Sequence, residues 1–72
     1  MEVNVYVTAP GLQDEVCAKI DAETRDEAIE KFKKMFLIPG RSIRIDEDWG
    51  NVDICILENG EPYHRTHWTI NV

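Results

Sequence analysis

The segment TRDEAIEKFKKMF, residues 24–36, is the strongest constraint on the fold of this 72-residue chain. Thr24 and Glu27 match the S/T-x-x-E capping box, which predicts a helix with Thr24 as its N-cap. Pro39 and Gly40 predict where the helix ends. Apolar residues recur every three or four positions and form one stripe, which consists of Ala28, Ile29, Phe32, Met35 and Phe36. The rest of the chain must cover that stripe.

The segments on both sides of the helix alternate apolar and polar residues, a pattern typical of strands that bury one face. The predicted strands are residues 2–8, 15–22, 42–46, 52–58 and 63–72. The side chains predicted to face inward are Val3, Val5, Val7, Val16, Ala18, Ile20, Ala22, Ile43, Ile45, Val52, Ile54, Ile56, Trp68, Ile70 and Val72. The sequence therefore predicts a single α+β domain over residues 1–72, with the element order ββαβββ.

The predicted order of the strands depends on the end of the sheet to which the helix carries the chain. If the helix carries the chain back to the end at which strand 2 begins, strand 3 runs antiparallel to strand 1 and can lie beside it. This predicts a mainly antiparallel five-stranded sheet in the order 2-1-3-4-5, with the helix packed on one face. The alternative places strand 5 beside strand 1.

Two turns set the pairing of the last three strands. A two-residue turn at Gly50-Asn51 pairs Trp49 with Val52, and Ile45 with Ile56, on one face. For the second turn, a three-residue loop over 59–61 with a bulge places Trp68 opposite Val52 and is preferred. The alternative is a two-residue Asn59-Gly60 turn, which turns Trp68 to the other face.

The stretch IDEDWGNVDICILENGE, residues 45–61, contains no Lys or Arg. Its six carboxylates are those of Asp46, Glu47, Asp48, Asp53, Glu58 and Glu61. The net charge of the chain is −6, whereas residues 25–44 hold six of the eight basic side chains. This distribution predicts two electrostatic poles, which bear on the choice of partner more than on the fold.

The acidic stretch supplies the candidate partner-binding site. The six carboxylates are predicted to steer the protein towards a basic surface, at spacings near the roughly 6–7 Å between phosphates along a DNA strand. Trp49 and Tyr63 are predicted to be aromatic anchors of the same surface. The alternative interpretation is a pair of solvated turns, with Trp49 packed over Val52 at the edge of the core.

The spacing of the histidines, the cysteines and the acidic residues does not predict a catalytic or a metal site. His64 and His67 on one strand would point to opposite faces, and Cys17 and Cys55 lack a zinc-type spacing. His67 near Cys55 gives a conceivable Cys–His pair, but nothing predicts an activated thiolate. The segment DEDWGNVD lacks the EF-hand arrangement. We therefore expect no enzyme activity, no cofactor and no metal.

The expected setting is the bacterial cytoplasm, with both cysteines reduced. The chain starts directly with MEVNVYV rather than with a basic signal-peptide region, and its apolar runs are too short to cross a bilayer. The net negative charge opposes direct binding to nucleic acid. We expect a monomer or a homodimer.

Three segments resemble very small ββαββ and ββαβββ proteins of bacteriophages and mobile elements, including some anti-CRISPR proteins and the DpnD/PcfM-like proteins. These segments are AKIDAETRDEAIEKFKKMF, RSIRIDEDWG and ILENGEPYHRTHW. The resemblance is one of element pattern, so it assigns no functional residue. It implies a non-enzymatic binder that blocks a host machine, often one that handles nucleic acid.

The preferred hypothesis is a small acidic protein that inhibits a host nucleic-acid enzyme or complex. The first alternative is a homo-oligomeric assembly protein that uses the open face or an edge of the sheet. The second alternative is a weak nucleic-acid binder that uses the Lys/Arg pole.

Overall fold

The computed structural model describes residues 1–71, so the inward orientation expected of Val72 lies outside the described residues. The strands are β1 (Glu2–Ala9), β2 (Leu12–Asp21), β3 (Ser42–Asp48), β4 (Asn51–Glu58), β5 (Glu61–Pro62) and β6 (His67–Asn71). Helix α1 (Arg25–Phe36) follows β2, and a 3-10 turn (Tyr63–Arg65) precedes β6. The α+β class with one helix and an antiparallel sheet is therefore confirmed.

Helix α1 begins where the capping box predicts. The Thr24 hydroxyl accepts a hydrogen bond from the backbone N–H of Glu27, at 3.1 Å. Asp26 and Glu27 occupy the first turn and Lys33 and Lys34 the last turn, which complements the helix dipole at both ends. The helix buries Ala28, Ile29 and Phe32.

Replacing Thr24 by Ala is expected to lower the free energy of unfolding by about 1 kcal/mol, because the Glu27 N–H loses its side-chain acceptor. Urea unfolding followed by circular dichroism measures this change. Thr24→Ser keeps the hydroxyl and should remain within about 0.5 kcal/mol of the parent protein. Equal losses in both variants would contradict the capping role.

The strand order differs from the predicted one. The sheet runs β2-β1-β6-β4-β3, with β5 paired only to β4. The order 2-1-3-4-5 is therefore wrong, and the alternative, with the last long strand beside the first, is the one observed. Strand β6 occupies the centre because Ile70 can be buried between Val5 and Val52. Strand β3 lies at an edge, where its charged side chains stay in water.

The core lies between the helix and one face of the sheet. Its largest fully buried side chains are Phe32, Ile54, Ile56, Ile70, Val5 and Val52. The Phe32 ring centroid lies 4.8 Å from that of Phe36 and 5.7 Å from that of Trp68, in an edge-to-face contact with the latter. Trp68 therefore faces the helix, as predicted.

Strand β2 contains a bulge that the alternation pattern did not reveal. Val5 pairs with Ala18 but Tyr6 pairs with Val16, so Cys17 is the extra residue. Val16 is consequently 52% exposed instead of facing the helix. Its predicted inward orientation is wrong because the bulge shifts the alternation by one residue.

The first predicted turn of the last three strands is shifted by one residue. Asp48 pairs with Asn51, so the turn consists of Trp49 and Gly50. Ile45 pairs with Ile54 and not with Ile56. The predicted register is wrong because the observed one gives both isoleucines of β3 an isoleucine partner, Ile43 with Ile56 and Ile45 with Ile54.

The second turn combines features of both predicted alternatives. Glu58 pairs with Glu61, so the turn is the two-residue Asn59-Gly60 and not a three-residue loop. The 3-10 turn that follows changes the register, and Trp68 pairs with Ile54 rather than with Val52. The predicted bulge is thus replaced by a separate turn, which restores the orientation of Trp68.

Candidate functional site

The turn between β3 and β4 projects a tryptophan into solvent. Trp49 is 96% exposed, the highest value among the large apolar side chains of residues 1–71. Its backbone N–H donates a 2.7 Å hydrogen bond to the Asp48 carboxylate. The alternative interpretation of Trp49 as a core-edge residue is therefore wrong, because the shifted turn moves it off the sheet.

Four carboxylates lie on the same hairpin as this tryptophan, and together with it we call them the acidic tip: Asp46, Glu47, Asp48, Trp49 and Asp53. Asp46 and Asp53 are direct cross-strand partners on the face of the sheet away from the helix. Glu47 pairs with Val52 and lies on the helix side. The tip therefore presents negative charge on both faces of one hairpin.

Two of these carboxylates have cationic partners. Glu47 lies 3.6 Å from the Arg25 guanidinium, and Asp46 lies 3.4 Å from that of Arg44. The Asp53 carboxylate instead accepts a 3.0 Å hydrogen bond from the Thr69 hydroxyl. Because both ion pairs are partly exposed, each contributes little to stability and can be exchanged for contacts with a partner.

An open depression of about 430 Å³ lies beside the tip, lined by Arg25, Glu47, Asp48, Trp49 and Gly50. Arg25 opens helix α1, so this depression joins the start of the helix to the β3–β4 turn. Arg25 and Thr69 were not among the predicted site residues. No local pattern indicates them, because both come to the tip only through the tertiary fold.

The remaining predicted site residues form a separate cluster at the opposite end of β4. The Glu58 carboxylate lies 3.0 Å and 2.9 Å from two nitrogens of the Arg41 guanidinium. The same guanidinium lies 4.7 Å from the Tyr63 ring centroid. Glu61 and Tyr63 lie in the β5 strand and the 3-10 turn that follow. The Tyr63 ring and the Glu58 carboxylate therefore already contact Arg41 within the protein.

The eight predicted site residues therefore do not form one surface. Asn51 and Glu58 bound β4, and seven residue steps of extended strand span about 23 Å. Only the acidic tip combines carboxylates with an aromatic side chain that is exposed. The tip is the better candidate for a partner-binding site.

The thiols and imidazoles are not brought together into a recognisable catalytic arrangement. Cys17 is exposed, yet desolvation by the surrounding strand raises the pKa of its thiol, which disfavours the thiolate. The Cys55 sulfur lies 3.7 Å from an Arg44 nitrogen. His64 lies in the 3-10 turn with a φ of +52°, whereas His67 begins β6, so the two do not share a strand as the sequence predicted.

The described part of the chain contains no group of three or more His, Cys, Asp or Glu residues arranged for a metal. Over the same residues, no helix has the length and apolar character needed to cross a membrane.

The basic pole is largely engaged in ion pairs. Five of its six members contact carboxylates within residues 1–71, namely Arg25, Lys31, Lys33, Arg41 and Arg44. Their charges are therefore partly neutralised. This arrangement weakens the hypothesis of a nucleic-acid binder that uses the Lys/Arg pole.

The face of the sheet opposite the helix carries mainly polar side chains along its central row. A row across its five long strands consists of Val16, Tyr6, Thr69, Asp53 and Asp46. Tyr63 and Arg65 belong to the predicted strand 63–72 but lie in the 3-10 turn. Val16 is the one aliphatic residue of the row, so the row offers little apolar area to a second copy, which weakens the homo-oligomer hypothesis.

Comparison with known proteins yields no match to a protein-family profile, to a curated protein or to a solved structure. The resemblance to small phage and mobile-element proteins therefore stays a prediction.

Proposed function

We propose that this protein is a binding protein whose acidic tip docks on a basic, nucleic-acid-binding surface of a host protein and thereby inhibits it. The observation that carries this proposal is the 96% exposure of Trp49 on a hairpin that also carries the carboxylates of the acidic tip. The proposal concerns a phage-type inhibitor that acts as a nucleic-acid mimic in the bacterial cytoplasm.

The exposed indole supports binding energetically. Burial of a large apolar side chain is worth roughly 1.5–3 kcal/mol, and the folded monomer forgoes almost all of it at Trp49. In a chain this small, apolar residues are needed for the core. Tryptophan is also enriched among residues that dominate binding energy at protein interfaces. Contact with a partner would recover this energy.

The placement of the carboxylates supports a basic partner. Asp46 and Asp48 are two residues apart on one face of β3, a distance of roughly 6.7 Å in an extended strand. That distance is close to the spacing of successive phosphates on one DNA strand. Asp53 adds a charge directly beside Asp46 on the neighbouring strand. Negative charge in such an array accelerates association with a basic groove.

The proposal is tested by displacement of proteins from DNA. A bacterial lysate is loaded on immobilised DNA, and the purified protein is then added at micromolar concentration. We expect the parent protein to release at least one retained protein, and Trp49→Ala to release much less of it because the aromatic anchor is lost. If the parent protein releases nothing, or if Trp49→Ala releases as much as the parent, the proposal is refuted.

Charge reversal at the tip is expected to slow association with the released partner. The triple variant Asp46→Lys, Asp48→Lys, Asp53→Lys should associate about tenfold more slowly at low salt and show a flatter salt dependence. Surface plasmon resonance at several salt concentrations measures both quantities.

The matched control changes the net charge equally at exposed positions away from the tip: Glu15→Lys, Glu30→Lys and Glu61→Lys. It should change the association rate much less. Equal effects of both triple variants would show that net charge alone steers association and that the tip is not the contact surface.

A further inference from the structure

Strand β2 is an open edge of the sheet on the side opposite the acidic tip. The backbone N–H of Ala22 donates to the carbonyl of Met1, and Glu2 pairs with Asp21. Because hydrogen-bonded and non-bonded pairs alternate in an antiparallel ladder, the backbone groups of Lys19 and Asp21 point away from β1. The Asp21 carbonyl accepts a hydrogen bond from the Lys31 ammonium. The N–H groups of Lys19 and Asp21 face outward.

A shallow notch of about 340 Å³ lies at this edge, between β2 and helix α1. It is lined by Lys19, Ile20, Asp21, Lys31, Lys34 and Met35. Met35 is 54% exposed although it belongs to the apolar stripe of the helix. The notch therefore offers an apolar surface next to free backbone donors.

Three ammonium groups surround the notch in a protein whose net charge is −6. Lys31 and Lys19 have exposed carboxylate partners, at 3.3 Å from Glu27 and 3.8 Å from Glu2. Such exposed ion pairs contribute little and exchange readily. Lys34 takes part in none of the ion pairs found among residues 1–71. The notch lining thus has three ammonium groups and one carboxylate, that of Asp21, and its net positive charge is complementary to an anionic ligand.

We propose that the β2 edge binds an extended segment of another protein with alternating acidic and apolar residues, which adds to the sheet as a further strand. In an extended ligand successive side chains point to opposite faces. Apolar side chains on the helix side contact Met35, while carboxylates on the open face reach Lys19. Main-chain hydrogen bonds to the Lys19 and Asp21 N–H groups supply affinity, as in other cases of strand addition.

Charge also determines which edge such a ligand selects. Along the strands themselves the two edges are alike, since β2 carries three carboxylates and one ammonium and β3 carries three carboxylates and one guanidinium. At the notch, however, Lys31 and Lys34 of helix α1 add positive charge to the β2 edge. The two edges are four strand spacings apart, or about 19 Å. The β2 edge is therefore a second docking surface, separate from the acidic tip, and both can be occupied together.

The test uses a synthetic seven-residue peptide of alternating glutamate and valine, titrated into the ¹⁵N-labelled protein and followed by NMR. We expect the largest amide shifts at Lys19 and Asp21. The same peptide N-methylated at every residue keeps its carboxylates but has no N–H to donate to the outward carbonyl of Lys19, and its methyl groups obstruct strand pairing, so it should not bind. Absence of binding by the unmethylated peptide at millimolar concentration, or equal binding by both peptides, would overturn the proposal.

Two protein variants with the same change in charge isolate the role of the notch. Lys19→Glu removes the ammonium that the ligand's carboxylates reach and should weaken peptide binding about fivefold. Lys33→Glu, whose parent side chain pairs with Glu30 outside the notch, should weaken it less than about twofold. Equal weakening by both variants refutes the site. Shifts of the same amides on raising the concentration of the protein alone would identify a second copy as the occupant and also refute the proposal.

Discussion

Phe32→Ala is expected to unfold most of the protein at 25 °C. Phe32 is fully buried and contacts both Phe36 and Trp68, so its loss leaves a cavity at the centre of the aromatic cluster. Replacement of a buried Phe by Ala typically costs about 3–5 kcal/mol. A domain of this size has only roughly 3–5 kcal/mol of net stability. Circular dichroism and the near-ultraviolet signal of Trp68 measure the loss of structure.

Phe36→Ala is the matched control for this prediction, because the same atoms are removed from a half-buried position of the same helix. We expect a loss of about 1.5–2.5 kcal/mol, which leaves a folded population that urea titration can quantify. A larger loss at Phe36 than at Phe32 would contradict the core described here.

Ile70→Ala is expected to lower the free energy of unfolding by about 3 kcal/mol. Ile70 is fully buried in the central strand β6, between Val5 of β1 and Val52 of β4. Removing its side chain leaves a cavity where the β1–β2 and β3–β4 hairpins meet. Urea unfolding followed by Trp68 fluorescence, with Trp49 replaced by Phe in all proteins compared, measures the loss.

Ile45→Ala makes the same chemical change in the edge strand β3, where the side chain is only half-buried. We expect a loss of about 1–1.5 kcal/mol, since part of the side chain is already in water. The comparison also tests the strand order. In the order 2-1-3-4-5 Ile45 would be central and Ile70 would lie at an edge, so a larger loss at Ile45 would contradict the observed sheet.

The helix and most of the inward residues could be predicted because their signals are local. Thr24 and Glu27 are three residues apart, and their hydrogen bond needs nothing beyond the first turn. The alternation in β1 and β4 likewise identifies Val3, Val5 and Ile54 as core residues without knowledge of their neighbours. The acidic character of the β3–β4 turn also follows from the sequence alone.

The registers and the composition of the site could not be predicted in the same way. A two-residue turn at 49–50 and one at 50–51 place different partners together, and the choice depends on which isoleucines of β3 and β4 pair under the helix. The 3-10 turn at residues 63–65 removes Tyr63 from the strand predicted over residues 63–72. Glu58 and Glu61, close to the tip in sequence, lie at the other end of β4.

The sequence by itself determined the elements, their buried faces and the separation of charge, because periodicity and capping act over only a few residues. Tertiary structure decided which strand lies at the centre of the sheet. Ile70 of β6 is covered on both sides by strands that are distant in sequence. The apolar area buried in this way cannot be predicted from the residues next to Ile70 in the chain. It also decided that Trp49 stands in solvent while Tyr63 lies against Arg41, because both outcomes depend on long-range pairing.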